Sequence, residues 1–445
     1  MNQRDREDII QALRGGLVPR RGLHYLATGL ESLVRAVELD LDFVASGRCT
    51  AKWIRGEYGS GKTFATRLLC ARARERGFAT AEVQISITDT PLHHLETVYR
   101  RLIERLETST EGTGAFQAIV DGWLYKIGDE AQHIDRLDED DPRLAEATEQ
   151  RLEDRLRALV QDNRTFPAVL RAYHRAMFEG DFATAQGLIA WLSGQPQVSA
   201  SITRKAGIKG GIDGAAAVNF IGGLLGMLRQ TGRPGLMVVL DEVETIQRMN
   251  AQTREKSLVA LRQLTDALAA EQLPGLYLVI TGTRDFYEGY KGLKGSTPLY
   301  QRVNAVKFDA DPQFPNWRAT QVHLAPFEAE RLLEVGRRVR DIYPAHEPDR
   351  VNERVSDTFL RGLVDKVTSG FGGRVPVVPR LFLRELVDII DRVEQHPAYD
   401  PAIHYKLDIE ASLLSPEELA AKEGCEVVAV EDEAVEPVAP RRLDG

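Results

Sequence analysis

Two apolar stretches of the chain are unbroken runs rather than alternating ones. Leu236–Leu240 (LMVVL) and Leu276–Ile280 (LYLVI) are of strand length and hydrophobic throughout. Such runs mark strands buried on both faces of a parallel sheet. Thr50–Ile54, Ala81–Ile87 and Thr320–Leu324 are further strand candidates. Helical spacing fills most of the remainder. Ile9, Ile10 and Leu13 define a helix over 5–14 that Gly15-Gly16 ends. Others are predicted from about Leu30 to Phe43, over Phe64–Arg76 and over 251–270. Residues 90–231 are mostly helical, broken by an acidic run from Asp135 to Asp141 and by a glycine-rich patch at 207–224. From Pro326 to about Arg392 the pattern is helical again, interrupted at Gly370–Pro379.

These elements predict an α/β fold, a three-layer αβα parallel sheet with a C-terminal helical lid. The expected divisions are an N-terminal helical segment 1–49, a core 50–325 carrying a helical insertion at about 107–205, a lid 326–412 and a tail 413–445. The tail is rich in Glu, Ala, Val and Pro without periodicity, and is expected to be disordered and acidic. At 445 residues, with 43% hydrophobic and 28% charged residues, the chain has material for a sizeable core and more than one unit.

Charge narrows the partners. The 57 basic and 66 acidic residues leave a net charge of -9, a poor generic polyanion binder. Contact with DNA must then come from local patches or through a partner. The three cysteines, Cys49, Cys70 and Cys425, are far apart and have no metal-binding spacing. With no apolar leader at the N-terminus and no run of roughly 18 apolar residues to span a membrane, a cytoplasmic location without membrane contact is expected.

The chemistry begins at Gly56-Glu57-Tyr58-Gly59-Ser60-Gly61-Lys62-Thr63, which fits GxxxxGK[ST] between a predicted strand and the helix that Phe64 opens. Glycines let successive backbone N–H groups turn toward one anion, and the following helix points its positive end at the same phosphates. Lys62 supplies a point charge for the β- and γ-phosphates of ATP, and the Thr63 hydroxyl is a ligand for Mg2+. Downstream, the strand Leu236–Leu240 ends in Asp241-Glu242. Asp241 is placed to hold Mg2+ opposite Thr63, and Glu242 to polarise the attacking water as general base. An apolar strand ending in two acids is common by itself; beside a glycine loop it gains meaning.

Three further stations follow. Thr283 ends the strand of LYLVITGT and is either a γ-phosphate contact or a plain strand-end threonine. Arg302, after the basic loop of Lys291 and Lys294, either completes a neighbouring subunit's site or is a solvated arginine. Arg380 follows Pro379 at the start of an amphipathic helix and is placed to couple the γ-phosphate to the lid.

This ordered set resembles an AAA+ ATPase of the origin-recognition initiator kind. With the flanks included, it resembles the BREX phage-defence ATP-binding (BrxD) family. The matching stretches are Ile9–Pro19, Gly22, Gly29, Glu57–Phe64, Gly207–Gly211, Gly235–Glu244 and Gly282-Thr283, spread over most of residues 5–390. The resemblance implies that Val18-Pro19 line the adenine pocket. It implies also a superfamily 2 helicase as partner and action on DNA in defence against phage. Origin-binding relatives carry a winged-helix DNA reader after the lid, and too few residues follow about 410 here to expect one.

Three activities remain open on this reading. The first is a nucleotide-driven switch or motor that forms homo-oligomers and acts on DNA, with Lys205, Lys209, Lys291 and Lys294 either contacting phosphates or forming a solvated face. The second is a non-catalytic scaffold ordered by ATP. The third is a small-molecule kinase, disfavoured because no acceptor motif accompanies the loop.

Overall fold

The buried apolar runs become a six-stranded sheet in a computed structural model of the chain, which describes residues 1–138, 141, 143–159, 164–304, 314–369, 379–407 and 419. The strands are β1 (Thr50–Arg55), β2 (Ala79–Gln84), β3 (Leu106–Glu107), β4 (Leu236–Asp241), β5 (Leu276–Gly282) and β6 (Gln321–His323). Their order across the sheet is β3-β2-β4-β5-β1-β6, parallel except for the β2–β3 edge. All residues of β4 and β5 are buried, as their unbroken hydrophobicity requires. Helices cover both faces, giving the three-layer αβα arrangement with a helical C-terminal region.

Register corrects the second strand. Ala81–Ile87 was the sequence expectation, but β2 runs Ala79–Gln84 because it pairs with β4 from Ala79–Leu236 to Gln84–Asp241 and ends where β4 ends. The neighbouring strand, more than local propensity, sets the boundary. Strand β3 has two residues and no periodic signal, and adds an antiparallel edge that the sequence did not announce. Strand β1 is anchored by a buried lysine. The Lys52 ammonium, 2% exposed, lies 2.9 Å from Asp40 of the helix Glu31–Ala45 and donates to the carbonyls of Trp317 and Ala319. This fixes the strand that feeds the glycine loop.

The helices Phe116–Asp135, Arg143–Leu159, Thr165–Phe178, Phe182–Leu192 and Ala200–Lys205 follow β3 and share one hydrophobic core with the sheet. Phe220 on the helix Gly214–Gln230 joins them, edge-on to Tyr99, Phe166 and Trp191. Residues 1–49 contribute to two other cores. Leu33, Val37 and Leu41 pack against the sheet, whereas Ile9, Ile10, Leu13 and Leu26 pack with the C-terminal helices Ala329–Ile342 and Pro379–Gln395. Arg14 pairs with Asp391 at 2.7 Å along the second contact. All of the expected tail at 413–445 except residue 419, and most of the break at Gly370–Pro379, lie outside the described residues.

Candidate nucleotide site

Between the sheet and the C-terminal helices lies a cavity of about 740 Å³. Its floor is the turn after β1. Gly61, at φ 84, occupies the left-handed region that a side chain disfavours, and opens the helix Lys62–Glu75. Tyr58, Gly59, Ser60, Gly61, Lys62, Thr63 and Phe64 line the cavity. Gly56 and Glu57 sit beneath and serve Lys62 instead: their carbonyls accept from its Nζ at 3.0 and 3.3 Å.

The two motifs meet directly. The Thr63 hydroxyl donates to Asp241 Oδ2 at 3.0 Å. The Thr281 hydroxyl donates to Asp241 Oδ1. Asp241 is thus held from two elements, its carboxylate aligned by the strand next to its own. A hydroxyl and a carboxylate so joined suit a hard cation such as Mg2+, which needs one or two protein oxygens and takes the rest from phosphates and water. A cation held there by Thr63 and Asp241 would neutralise charge on a bound triphosphate.

Glu242 stands just past β4 at φ 57, in the left-handed region, an uncommon conformation for a residue with a side chain. Its N–H is held by Asp241 Oδ1 at 3.1 Å and Thr281 Oγ1 at 3.3 Å. Its carboxylate, facing the cavity, accepts from the Gln84 amide at 2.9 Å. Because β2 and β4 end side by side, Gln84 is delivered next to Glu242.

Glu244 was not anticipated. Its Oε1 lies 3.7 Å from Lys62 Nζ, and its Oε2 is buried without a hydrogen-bond partner. Burial pushes its carboxyl above the ordinary 4.5; Lys62 draws it down, and Asp241 and Glu242 push it up again. The spacing Asp241-Glu242-Val243-Glu244 was the only sequence signal available for it.

Thr283 lines the cavity at the N-cap of the helix Arg284–Glu288, whereas Thr281, two residues earlier on the same strand end, takes the contact with Asp241. Val18 and Pro19 also line the cavity, with the Val18 carbonyl held by Arg67 at 2.8 Å. Arg380 reaches the cavity and its Nε donates to the Gly16 carbonyl at 3.1 Å. Arg302 is not among the lining residues; its guanidinium pairs with Asp266 on the helix Ala251–Ala269, half-exposed. It does not belong to this chain's own cavity. Among the described residues no helix is long and apolar enough to cross a membrane.

Among solved structures, the ORC2 protein of Aeropyrum pernix in its ADPNP–ADP complexes is similar at 11% identity, over 82% of this chain and 68% of its own, with a TM-score of 0.36. No curated protein matches the chain. The model of the family described as BREX system ATP-binding protein BrxC/D matches residues 1–409. A match over that much of the sequence is a statement about the whole described molecule, and this chain belongs to the BrxC/D family of BREX system ATP-binding proteins.

Proposed function

We propose that the protein hydrolyses ATP with Mg2+ and uses the cycle as a switch or motor that acts on DNA together with a superfamily 2 helicase in BREX-type phage defence. The observation that carries the reading is the Thr63–Asp241 contact beneath a cavity that Glu242 also faces. In this reading the glycine loop and Lys62 bind the phosphates, Thr63 and Asp241 hold the cation, and Glu242 takes a proton from the attacking water. Thr283 orients that water or the γ-phosphate. Arg380 reports the phosphate state to the C-terminal helices, which also carry the packing of Ile9, Ile10 and Leu13. Val18 and Pro19 hold the adenine.

The test is phosphate release with duplex, single-stranded and forked DNA and without DNA, on samples whose mass is measured in parallel. We expect turnover that DNA raises, with DNA retention falling steeply as salt increases. Hydrolysis indifferent to every DNA, with salt-independent retention, removes the DNA part. Negligible turnover that Glu242→Gln leaves unaltered favours the alternative, an ATP-dependent scaffold that recruits a partner. Phosphate release without an acceptor excludes a small-molecule kinase as the main activity.

Arg302 enters only between subunits. Exposed on the flank and paired with Asp266, it is free to exchange that carboxylate for a neighbour's phosphate in a homo-oligomer. Arg302→Ala is expected to bind ATP within about twofold of wild type and to hydrolyse it at least tenfold more slowly, a loss in line with removing one charge-stabilising donor. An active species that is strictly monomeric would remove this role.

A further inference from the structure

Two arginines of the C-terminal helices line the nucleotide cavity, and they differ in what they touch. Arg380 bonds the Gly16 carbonyl. Arg331, on the helix Ala329–Ile342, has no carboxylate partner among the described residues, whereas Arg337, Arg338 and Arg340 of the same helix each have one. Its guanidinium lies 5.7 Å from the centroid of the Phe327 ring. It is seated on Gly29, where φ is +65 and a Cβ would come 2.8 Å from its Nη2, so a side chain at 29 would strain the backbone and push the guanidinium aside.

The surroundings say which end of a nucleotide this position faces. Phe327 rests against Gly61, its ring 3.3 Å from where a Cβ would stand, at the start of the loop's helix. Leu332 and Val335 of its own helix, and Leu30 beside Gly29, give the cavity apolar lining. Thr28 adds a single buried hydroxyl with no partner. The acids Asp241 and Glu242 and the ammonium of Lys62 belong to the phosphate end. An apolar wall with a flat cation and one unpaired hydroxyl suits an aromatic heterocycle rather than a phosphate.

We infer that Arg331 is a binding residue for the nucleobase end of ATP, its guanidinium plane lying between the base and the Phe327 ring and so tying the C-terminal helices to the occupied site. This rests on the cavity being the ATP site. Arginine serves where lysine does not, because a planar cation stacks on aromatic faces on both sides.

The experiment is calorimetric titration of the full chain, wild type, Arg331→Ala and Arg331→Lys, with ATP and with inorganic tripolyphosphate. Arg331→Ala should weaken ATP about tenfold and leave tripolyphosphate unchanged, and Arg331→Lys should recover little of the loss. Unchanged ATP affinity in Arg331→Ala overturns the inference. So does an equal loss for tripolyphosphate, which would make Arg331 a phosphate contact or a support of the lid. Should Arg331→Ala not fold, Arg331→Lys decides: wild-type ATP affinity there overturns the inference, and a selective loss of ATP supports it. A wild type that binds tripolyphosphate but not ATP would instead sink the assignment of the cavity itself.

Discussion

Lys62→Ala should lose ATP affinity by at least roughly 100-fold, read by calorimetry, because it deletes the ammonium that the loop aims at the β- and γ-phosphates; charge-assisted hydrogen bonds of this kind contribute about 1.5–3 kcal/mol each. The fold should survive, with a pH-dependent cost that identifies the cause. Lys62 is the cation beside Glu244, whose carboxyl burial already pushes above its ordinary 4.5. A carboxyl bound more tightly to its proton in the folded chain than in the unfolded one opposes folding as pH rises above 4.5. Lys62 offsets part of that opposition, so its removal raises the folded value further and enlarges the cost. The deficit in Tm of Lys62→Ala should therefore be small near pH 4.5 and widen above it. Adding Glu244→Gln should remove the deficit without restoring ATP binding. Retained ATP affinity in Lys62→Ala would contradict the phosphate role, and a pH-independent deficit would contradict the Glu244 account.

What the sequence announced and what it hid divide along a physical line. Strands β4 and β5 were legible because central parallel strands are hydrophobic on both faces, and β1, which carries Lys52 and Arg55, was legible as the segment that enters the glycine loop. The glycine loop, Asp241 and Glu242 were legible because the chemistry needs those residue types at those spacings. Boundaries set by pairing were not: β2 ends where β4 ends, and β3 exists only because Thr80 and Ala81 offer it an edge. The same holds for side chains whose role depends on a neighbour strand. Thr281 and Thr283 are indistinguishable as strand-end threonines, and only the β4–β5 register gives Asp241 to Thr281. Gln84, Glu244 and Arg331 gain their meaning from contacts across 158, 182 and 302 residues of chain, with Glu242, Lys62 and Gly29 respectively. Likewise nothing local told that Ile9, Ile10 and Leu13 pack with the far C-terminal helices while Leu33 and Val37 pack with the sheet.

Glu242→Gln is expected to bind ATP within about threefold of wild type while hydrolysing it roughly 100-fold or more slowly, the range that a positioned general base contributes. The substitution isolates proton transfer because so little else changes. Glu242 is held in its left-handed conformation through its backbone N–H, which bonds Asp241 and Thr281 and is unaffected by the side chain. A glutamine carboxamide keeps an oxygen to accept from the Gln84 amide at the position where Glu242 now accepts at 2.9 Å. The Thr63–Asp241 contact stays intact, so the phosphate and cation groups are unaltered. What is lost is the basic lone pair that takes the proton of water. A strained backbone at this one residue, supported from two strands, is the kind of local cost that persists where a side chain must be aimed. Phosphate release measured under single-turnover conditions distinguishes the outcomes. A slow chemical step with normal binding places the base at Glu242. Wild-type single-turnover rates would move it to another cavity carboxylate, Glu244 or Asp285.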